Sequence, residues 1–513
     1  MMISPSFAIL FAYPIVFVLH FIRRSKHPLF SKVFLISAYT ALSIMLLFES
    51  VTIFLFKKPI CAEVLDAILT TNTTETGEFI NTYLSQLSLP LTVFFIALIF
   101  ALLIQKGIQK YRVSCPIAFI FLIAMAPALE SIAANVVQYK KIGKSKGFSV
   151  STFITRLPAA VVALEKESDE LAPFKVRSYP DTIQYISKEI QCSNIVVIIG
   201  ESFSKYHSSL YSYPKVTNPK LGELSQSNLY VYNDVVTLFN YTVGVLKTIY
   251  GIISGDGSNK TPPPPFPSIL RGAGYKTHLL DQKDYLTQKR YQVIWENMFD
   301  SKNETRFPDD MDLINTMDVS KAEPSLYVIN LMGQHFAYVN RYPESFARFK
   351  KDDYPEVSNN QHAEIIAHYD NATLYNDFVI YSVIQKLLDK EAVVLYFSDH
   401  GEEVYDYRNF TGHGTGLLEK SVHSKYQIEI PFMIWVSDLY KENHPDKVEQ
   451  IKNAVERPYN TGDLVHLIMD ISGVKAEGYD PTKSVINDQF DSTHDRIVHR
   501  AINYDQRRRD STR

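Results

Sequence analysis

The sequence predicts two architectures in one chain: an N-terminal α-helical transmembrane bundle, then a soluble α/β domain whose mostly parallel central sheet carries helices on both faces. Three observations carry that prediction. Long apolar runs are confined to the residues before 140, although the overall hydrophobic fraction of 46% is ordinary for a globular protein. After residue 190, short β-branched runs alternate with helical stretches, the pattern of a parallel sheet wrapped by crossover helices. Two of those runs end abruptly in acidic residues, as strands do where they leave a sheet at a functional edge.

The apolar stretches run roughly from Phe7 to Phe21, Val33 to Phe56, Leu89 to Ile104 and Pro116 to Val137. Each is near the length of about 20 residues that crosses a bilayer as a helix. The first lacks a basic leader and a small-residue cleavage site, so it reads as a retained span rather than a signal peptide. Arg23, Arg24, Lys26 and Lys32 follow the first span, and Lys106, Lys110 and Arg112 follow the third. Positive-inside bias puts those loops in the cytoplasm and everything after the fourth span outside, which in a bacterium is the periplasm of a multi-pass inner-membrane protein. Glu49 and Glu130 lie within or near spans and read more readily as interfacial carboxylates than as functional ones. Lys140, Lys141, Lys144 and Lys146 would lie among lipid phosphates, or form an ordinary solvated linker.

The expected domains are therefore residues 1–138 in the membrane with about four spans, 139–190 as a bridge, 191–490 as the soluble domain and 491–513 as a basic C-terminal tail. A net charge of -3 gives no case for nucleic acid. Of three cysteines only Cys192 falls in the soluble part, which excludes a disulfide within it.

The soluble domain opens on Asn194 to Gly200, NIVVIIG, a buried-strand pattern that runs into Glu201 and Ser202. The second such run, Val394 to Phe397, leads into Ser398, Asp399, His400 and Gly401. An Asp beside a His offers a hard oxygen and an imidazole nitrogen, a pair suited to zinc and less well to manganese. On that stretch alone, a strand with a polar turn explains the residues equally well. Further strands are expected at Leu229 to Val236, His278 to Asp281, Leu326 to Leu331 and Phe432 to Val436, and helices at Leu246 to Ile253, Ser268 to Gly272 and Thr373 to Lys390. Thr242 stands ahead of an amphipathic helix, where backbone N–H groups favour an anion. A hydroxyl there is a poor nucleophile without a metal or base, and taken alone it reads better as a helix N-cap.

Taken together, the blocks resemble a known family. Glu201, Ser202, His207, Leu210 to Tyr213 and Thr217 to Pro219, then Thr242, Asn330 to Pro343, Ser398 to Glu403, Gly412 to Gly414 and Ile428 to Trp435 look like the successive motifs of the phosphoethanolamine transferases, within the alkaline phosphatase and sulfatase superfamily. The resemblance covers the whole chain and implies an alkaline phosphatase/sulfatase-type fold. It implies that Glu201, Thr242, Asp399 and His400 hold zinc, one ion tightly with a second left open. Thr242 would be the phosphorylated nucleophile, while His335 and His413 bind the transferring phosphate and one of them protonates the leaving group. Asn240 and, more weakly, His207 would line the substrate site. Thr248 competes with Thr242, and His423 with His413. The implied donor is phosphatidylethanolamine, and the implied acceptor is lipopolysaccharide, at a core sugar or lipid A.

Two features depart from the lipid A-modifying, polymyxin-resistance branch: the soluble domain can form no disulfide, and Val245, Leu246 and Lys247 replace a Ser-Val-Pro after the threonine. The first points to the disulfide-poor branch that decorates core sugars, and the second leaves the choice of Thr242 over Thr248 a matter of alignment. Four spans are read where the family is described with five. A true sulfatase is disfavoured, because no Cys/Ser-x-Pro-x-Arg motif follows either threonine. A glycerophosphate transferase or phosphodiesterase of the same superfamily, and an inactive membrane sensor with this fold, are the alternatives.

Overall fold

The computed structural model describes residues 183–251, 264–282, 298–303, 307–413 and 425–511, with shorter stretches and single positions elsewhere, 160–164 among them. The chain divides into two compact units, Met1–Glu170 and Leu171–Arg513. Glu49, Glu130, the lysines from 140 to 146 and nearly all of the four apolar stretches lie outside the described residues. Among the described residues no helix is long and apolar enough to cross a membrane. The second unit carries the site.

Its core is a sheet of seven strands: β1 (Asn194–Gly200), β2 (Leu229–Tyr232), β3 (Lys276–Asp281), β4 (Ser301–Lys302), β5 (Ser325–Asn330), β6 (Ala392–Ser398) and β7 (Phe432–Val436). They lie in the order β2-β7-β6-β1-β5-β3-β4. Only β7 runs against its neighbours, so the sheet is mixed, with five parallel strands from β6 out to the β4 edge. Every residue of β1 and β6 is buried, which is why both read as unbroken apolar runs and not as alternation.

The alternation survives in what each side chain meets. Ile195, Val197 and Ile199 share one core with α2 (Thr242–Ile249), α3 (Phe266–Gly272) and α6 (Leu464–Ser472). Val196 and Ile198 face the opposite way, toward α1 (Pro219–Leu224), α4 (Asp310–Asn315) and α5 (Asn360–Gln385). Each fully buried Ile or Val contributes on the order of 1.5–3 kcal/mol, so the two-sided packing fixes the sheet edge firmly.

Three expectations are corrected. The strand expected from Leu229 to Val236 breaks at Asn233–Asp234, and Val235–Val236 pairs instead with Tyr459–Asn460. The helix expected from Thr373 begins at Asn360, where the Asn359 side chain accepts from the N–H groups of Gln361 and His362. Its polar residues Asp370, Asn371, Asn376 and Asp377 are buried because they pin other elements. Asp377, for example, accepts from the N–H groups of Lys220 and Leu221 and so caps α1. The basic tail expected from residue 491 is folded: Ile497–Val498 pairs with Ile502–Asn503, and α7 (Tyr504–Ser511) follows. Part of its charge is neutralised locally, Arg496 being buried between Asp234 and Asp505.

Candidate metal centre and nucleophile

Gly200 on β1 is paired in register with Ser398 on β6, so Glu201 and Asp399 leave the sheet side by side. The chain turns at once after β1, with Ser202 at φ +55°. That turn aims the Ser202 N–H at Asp399 Oδ1 (3.1 Å), and the His400 N–H donates to the same oxygen at 2.7 Å. Asp399 is thereby held by one oxygen while Oδ2 lies 3.8 Å from His400 Nε2. Tyr369 on α5 clamps the turn from behind, donating to the Ser202 carbonyl (2.6 Å) and accepting from the Ser204 N–H (2.7 Å).

Gly333, just past β5, closes the other side. It sits at φ +49°, and a Cβ there would lie 3.0 Å from the Glu201 nitrogen. Its neighbour Gln334 donates its N–H to the Glu201 carbonyl at 3.0 Å.

Thr242 is the first residue of α2, and Tyr241 is the N-cap. The hydroxyl therefore does not cap the helix. It lies 3.3 Å from both Glu201 oxygens and 3.5 Å from His400 Nε2, and the residue is only 8% exposed. His400 donates Nδ1–H to the Gly401 carbonyl at 2.9 Å, which turns Nε2 toward Glu201 Oε1, 3.3 Å away. Burial alone would lower the His400 pKa, but Asp399 and Glu201 outweigh it and raise the pKa to about 9. Two buried carboxylates facing one imidazole demand a cation, either a proton or a metal.

The ligand-capable atoms of Glu201, Asp399 and His400 all lie within 4.8 Å of one another. Two carboxylates, an imidazole of fixed tautomer and an adjacent hydroxyl form a donor set that fits zinc. A second such group joins His400, Glu402 and His413. His413 Nδ1 lies 2.7 Å from Glu402 Oε2, and Tyr338 donates to Glu402 Oε1 at 2.6 Å. The His400 and His413 rings are 4.0 Å apart, centre to centre.

The other expected residues are placed differently. His335 is buried just beyond Gln334, its ring 4.3 Å from that of Phe336, and neither ligand group includes it. Asn240 is buried and donates to Gln427 Oε1 at 2.8 Å. His207 sits between Asp370 (2.8 Å) and Asp406 (3.4 Å). Burial opposes its charge, yet those two carboxylates raise its pKa to about 10, which makes it a buried imidazolium strut. Thr248 donates to the Gly244 carbonyl within α2. His423 lies outside the described residues. Gly333, Tyr338 and Glu402 were not singled out by sequence reasoning. For Glu402 a signal existed, the second acid after the Asp-His pair, but nothing in the sequence linked it to His413.

Fold and site together define the class: an α/β domain of the alkaline phosphatase type, with a buried ligand constellation at adjacent strand tips. The sulfatase family profile matches residues 193–474, and the chain belongs to that family. Among its relatives is phosphoethanolamine transferase EptC of Escherichia coli O18:K1:H7 (strain RS218 / NMEC), 32% identical over 321 residues, which are 58% of this chain and 54% of the relative. The chain thus spans about half the length of that curated relative. The solved C-terminal periplasmic domain of EptC from Escherichia coli, in complex with Zn, superposes with a TM-score of 0.56 at 29% identity, covering 62% of this chain and 94% of that one. The integral membrane protein lipooligosaccharide phosphoethanolamine transferase A (EptA) from Neisseria meningitidis gives a TM-score of 0.60 over 94% of this chain and 92% of its own; at 17% identity this speaks to fold alone.

Proposed function

We propose that the chain is a membrane-anchored phosphoethanolamine transferase of the bacterial inner membrane, its second unit in the periplasm. It moves phosphoethanolamine from phosphatidylethanolamine to a lipopolysaccharide acceptor, a core heptose or lipid A. The observation that carries the reading is the Thr242 hydroxyl, at a helix N-terminus and within 3.3–3.5 Å of both Glu201 oxygens and His400 Nε2. The names of the relatives supply the group transferred, and the Zn complex of the EptC domain supports the metal. The apolar runs before residue 140 support the anchor.

Zinc bound by Glu201, Thr242, Asp399 and His400 would lower the pKa of the hydroxyl and offset phosphate charge. In the first step Thr242 Oγ1, having already given up its proton to solvent, attacks the donor phosphorus. The new Oγ1–P bond replaces the bond from phosphorus to the diacylglycerol oxygen, and the departing diacylglycerol takes up a proton. The backbone N–H groups at the start of α2 face the phosphoryl oxygens. His413 is the proton donor, because Glu402 holds its Nδ1 and leaves Nε2 for the reaction. In the second step an acceptor oxygen attacks the same phosphorus, loses its proton to His413, and releases Thr242.

The test uses the full chain in lipid vesicles containing phosphatidylethanolamine, with lipopolysaccharide added and the product read by mass spectrometry of lipid A and core fragments. The parent adds one phosphoethanolamine mass to one fragment. Thr242→Ala adds none while its circular dichroism is unchanged; equal product from that variant would overturn the reading.

A further inference from the structure

The last described residues lie against the segment that delivers Thr242. Arg496 enters the C-terminal hairpin at 2% exposure, and its guanidinium donates to the Asp234 carboxylate (2.8 Å) and carbonyl (3.0 Å) and to Asp505 (2.5 Å). Arg508 adds a second guanidinium on Asp234 at 3.1 Å. Tyr504 donates to Glu429, which also accepts from Tyr206 (2.7 Å) and pairs with Lys205 (2.8 Å). Asp234 precedes the short strand Val235–Val236, and Glu429 bridges to Val236. Val498, Val236, Ile428 and Tyr504 bury one another beneath. The hairpin is therefore locked to the start of the stretch that runs on to Thr242.

Its tip reaches the end of that stretch. His499 donates its N–H to the Leu238 carbonyl at 2.7 Å. The imidazole meets the Phe239 ring edge-on at 5.2 Å and the Tyr241 ring at 6.1 Å, and those two rings meet edge-on at 5.3 Å. The same pair bears on the first turn of α2, since a Cβ on Gly244 would lie 2.7 Å from each ring. Two of the three residues at the hairpin tip have left-handed backbone, His499 at φ +50° and Arg500 at φ +58°. Left-handed backbone is uncommon outside glycine, although histidine is among the types enriched in it, and two such residues in succession persist only where the surroundings over-determine them, as happens around active sites.

We propose that His499 is a positioning residue for Thr242. Its imidazole completes a cluster with Phe239 and Tyr241 that sets where α2 begins, and so where the hydroxyl of its first residue sits against Glu201 and His400. The inference rests on the reading of Thr242 as nucleophile. Reacting groups misplaced by about 1 Å lose on the order of 100-fold in rate, so a small drift of the helix start is enough to matter.

Two variants separate positioning from bulk stability. His499→Gly removes the ring but relieves the left-handed strain, and His499→Phe keeps a flat ring in the cluster; both retain the N–H bonded to Leu238. Turnover is read on the full chain as diacylglycerol released from fluorescently labelled phosphatidylethanolamine, alongside zinc content and melting temperature. The visible spectrum of the cobalt(II)-substituted protein gives a readout independent of substrate. We expect His499→Gly to lose on the order of 10–100-fold in kcat. Its KM, zinc content and melting should stay close to the parent's, and its cobalt spectrum should shift toward that of Thr242→Ala. His499→Phe should recover most of kcat. Unchanged kcat and cobalt spectrum in His499→Gly, a loss that tracks melting or zinc content, or no recovery in His499→Phe each overturns the inference. Should Thr242→Ala leave turnover and the cobalt spectrum untouched, the nucleophile assignment falls, whatever His499 does.

Discussion

Gly333→Ala tests whether the metal centre is held in place by backbone contact. The new Cβ would lie 3.0 Å from the Glu201 nitrogen, 3.1 Å from its carbonyl oxygen and 3.4 Å from its Cβ, at φ +49°. Left-handed backbone costs an alanine about 1–2 kcal/mol, which in a domain of this size lowers melting by roughly 1–3 °C. The contact itself is tighter than van der Waals separation, and its partner is backbone at the end of β1, which can yield only by carrying the Glu201 carboxylate with it. Changes behind a ligand typically weaken metal binding or activity by about 10–100-fold. We therefore expect a zinc affinity lower by about 1.4–2.8 kcal/mol, measured by competition with a chromophoric chelator. Gly333→Asn supplies the control. Asparagine tolerates left-handed backbone, so melting should recover while zinc affinity stays low. Parent-like zinc affinity in both folded variants would show that Glu201 is not positioned from this side.

Glu402→Gln would donate to His413 Nδ1 instead of accepting from it, inverting the imidazole tautomer. Turnover should fall by about 10–100-fold with melting unchanged, and parent-like turnover would remove Glu402 from the site. Chelation should lower the melting temperature, because buried Glu201 and Asp399 lose their counter-charge. At a metal concentration of 100 times Kd the difference is about 2.7 kcal/mol, and calorimetry with and without chelator would detect it. His207 has a folded pKa of about 10, above its ordinary 6.5. Its contribution to stability is complete below the ordinary value and is lost as pH rises through the folded one. The melting gap between parent and His207→Gln should therefore be widest at or below pH 6.5 and close toward pH 10; a gap independent of pH would contradict the imidazolium assignment.

The strand tips were legible because burial on both faces leaves a chemical signature. Asn194–Gly200 and Phe432–Val436 stand in the structure with the expected bounds, and Glu201 and Asp399 emerge where the apolar runs stop. The start of α5 was illegible for the opposite reason. Asp370 and Asn371 interrupt the apolar period just ahead of Thr373, although each is buried with hydrogen bonds made to another element. Proximity in space was likewise hidden. Glu402 meets His413 across a hairpin turn, and Arg496 meets Asp234 over most of the domain, so local composition showed an acidic turn and a basic tail where the fold has a held imidazole and a buried ion pair. Thr242 was placed near a helix start, but its hydroxyl turns to the strand tips because Tyr241 takes the capping position.

The pairing of Gly200 with Ser398 also bears on how the protein matures. Glu201 is synthesised early and Asp399 late, and no local contact can bring them together beforehand. If these two carboxylates hold the proposed ion, a nascent chain that stops short of β6 has half the ligands and should remain metal-free, so uptake of the ion would report that the central strand has found its last parallel neighbour.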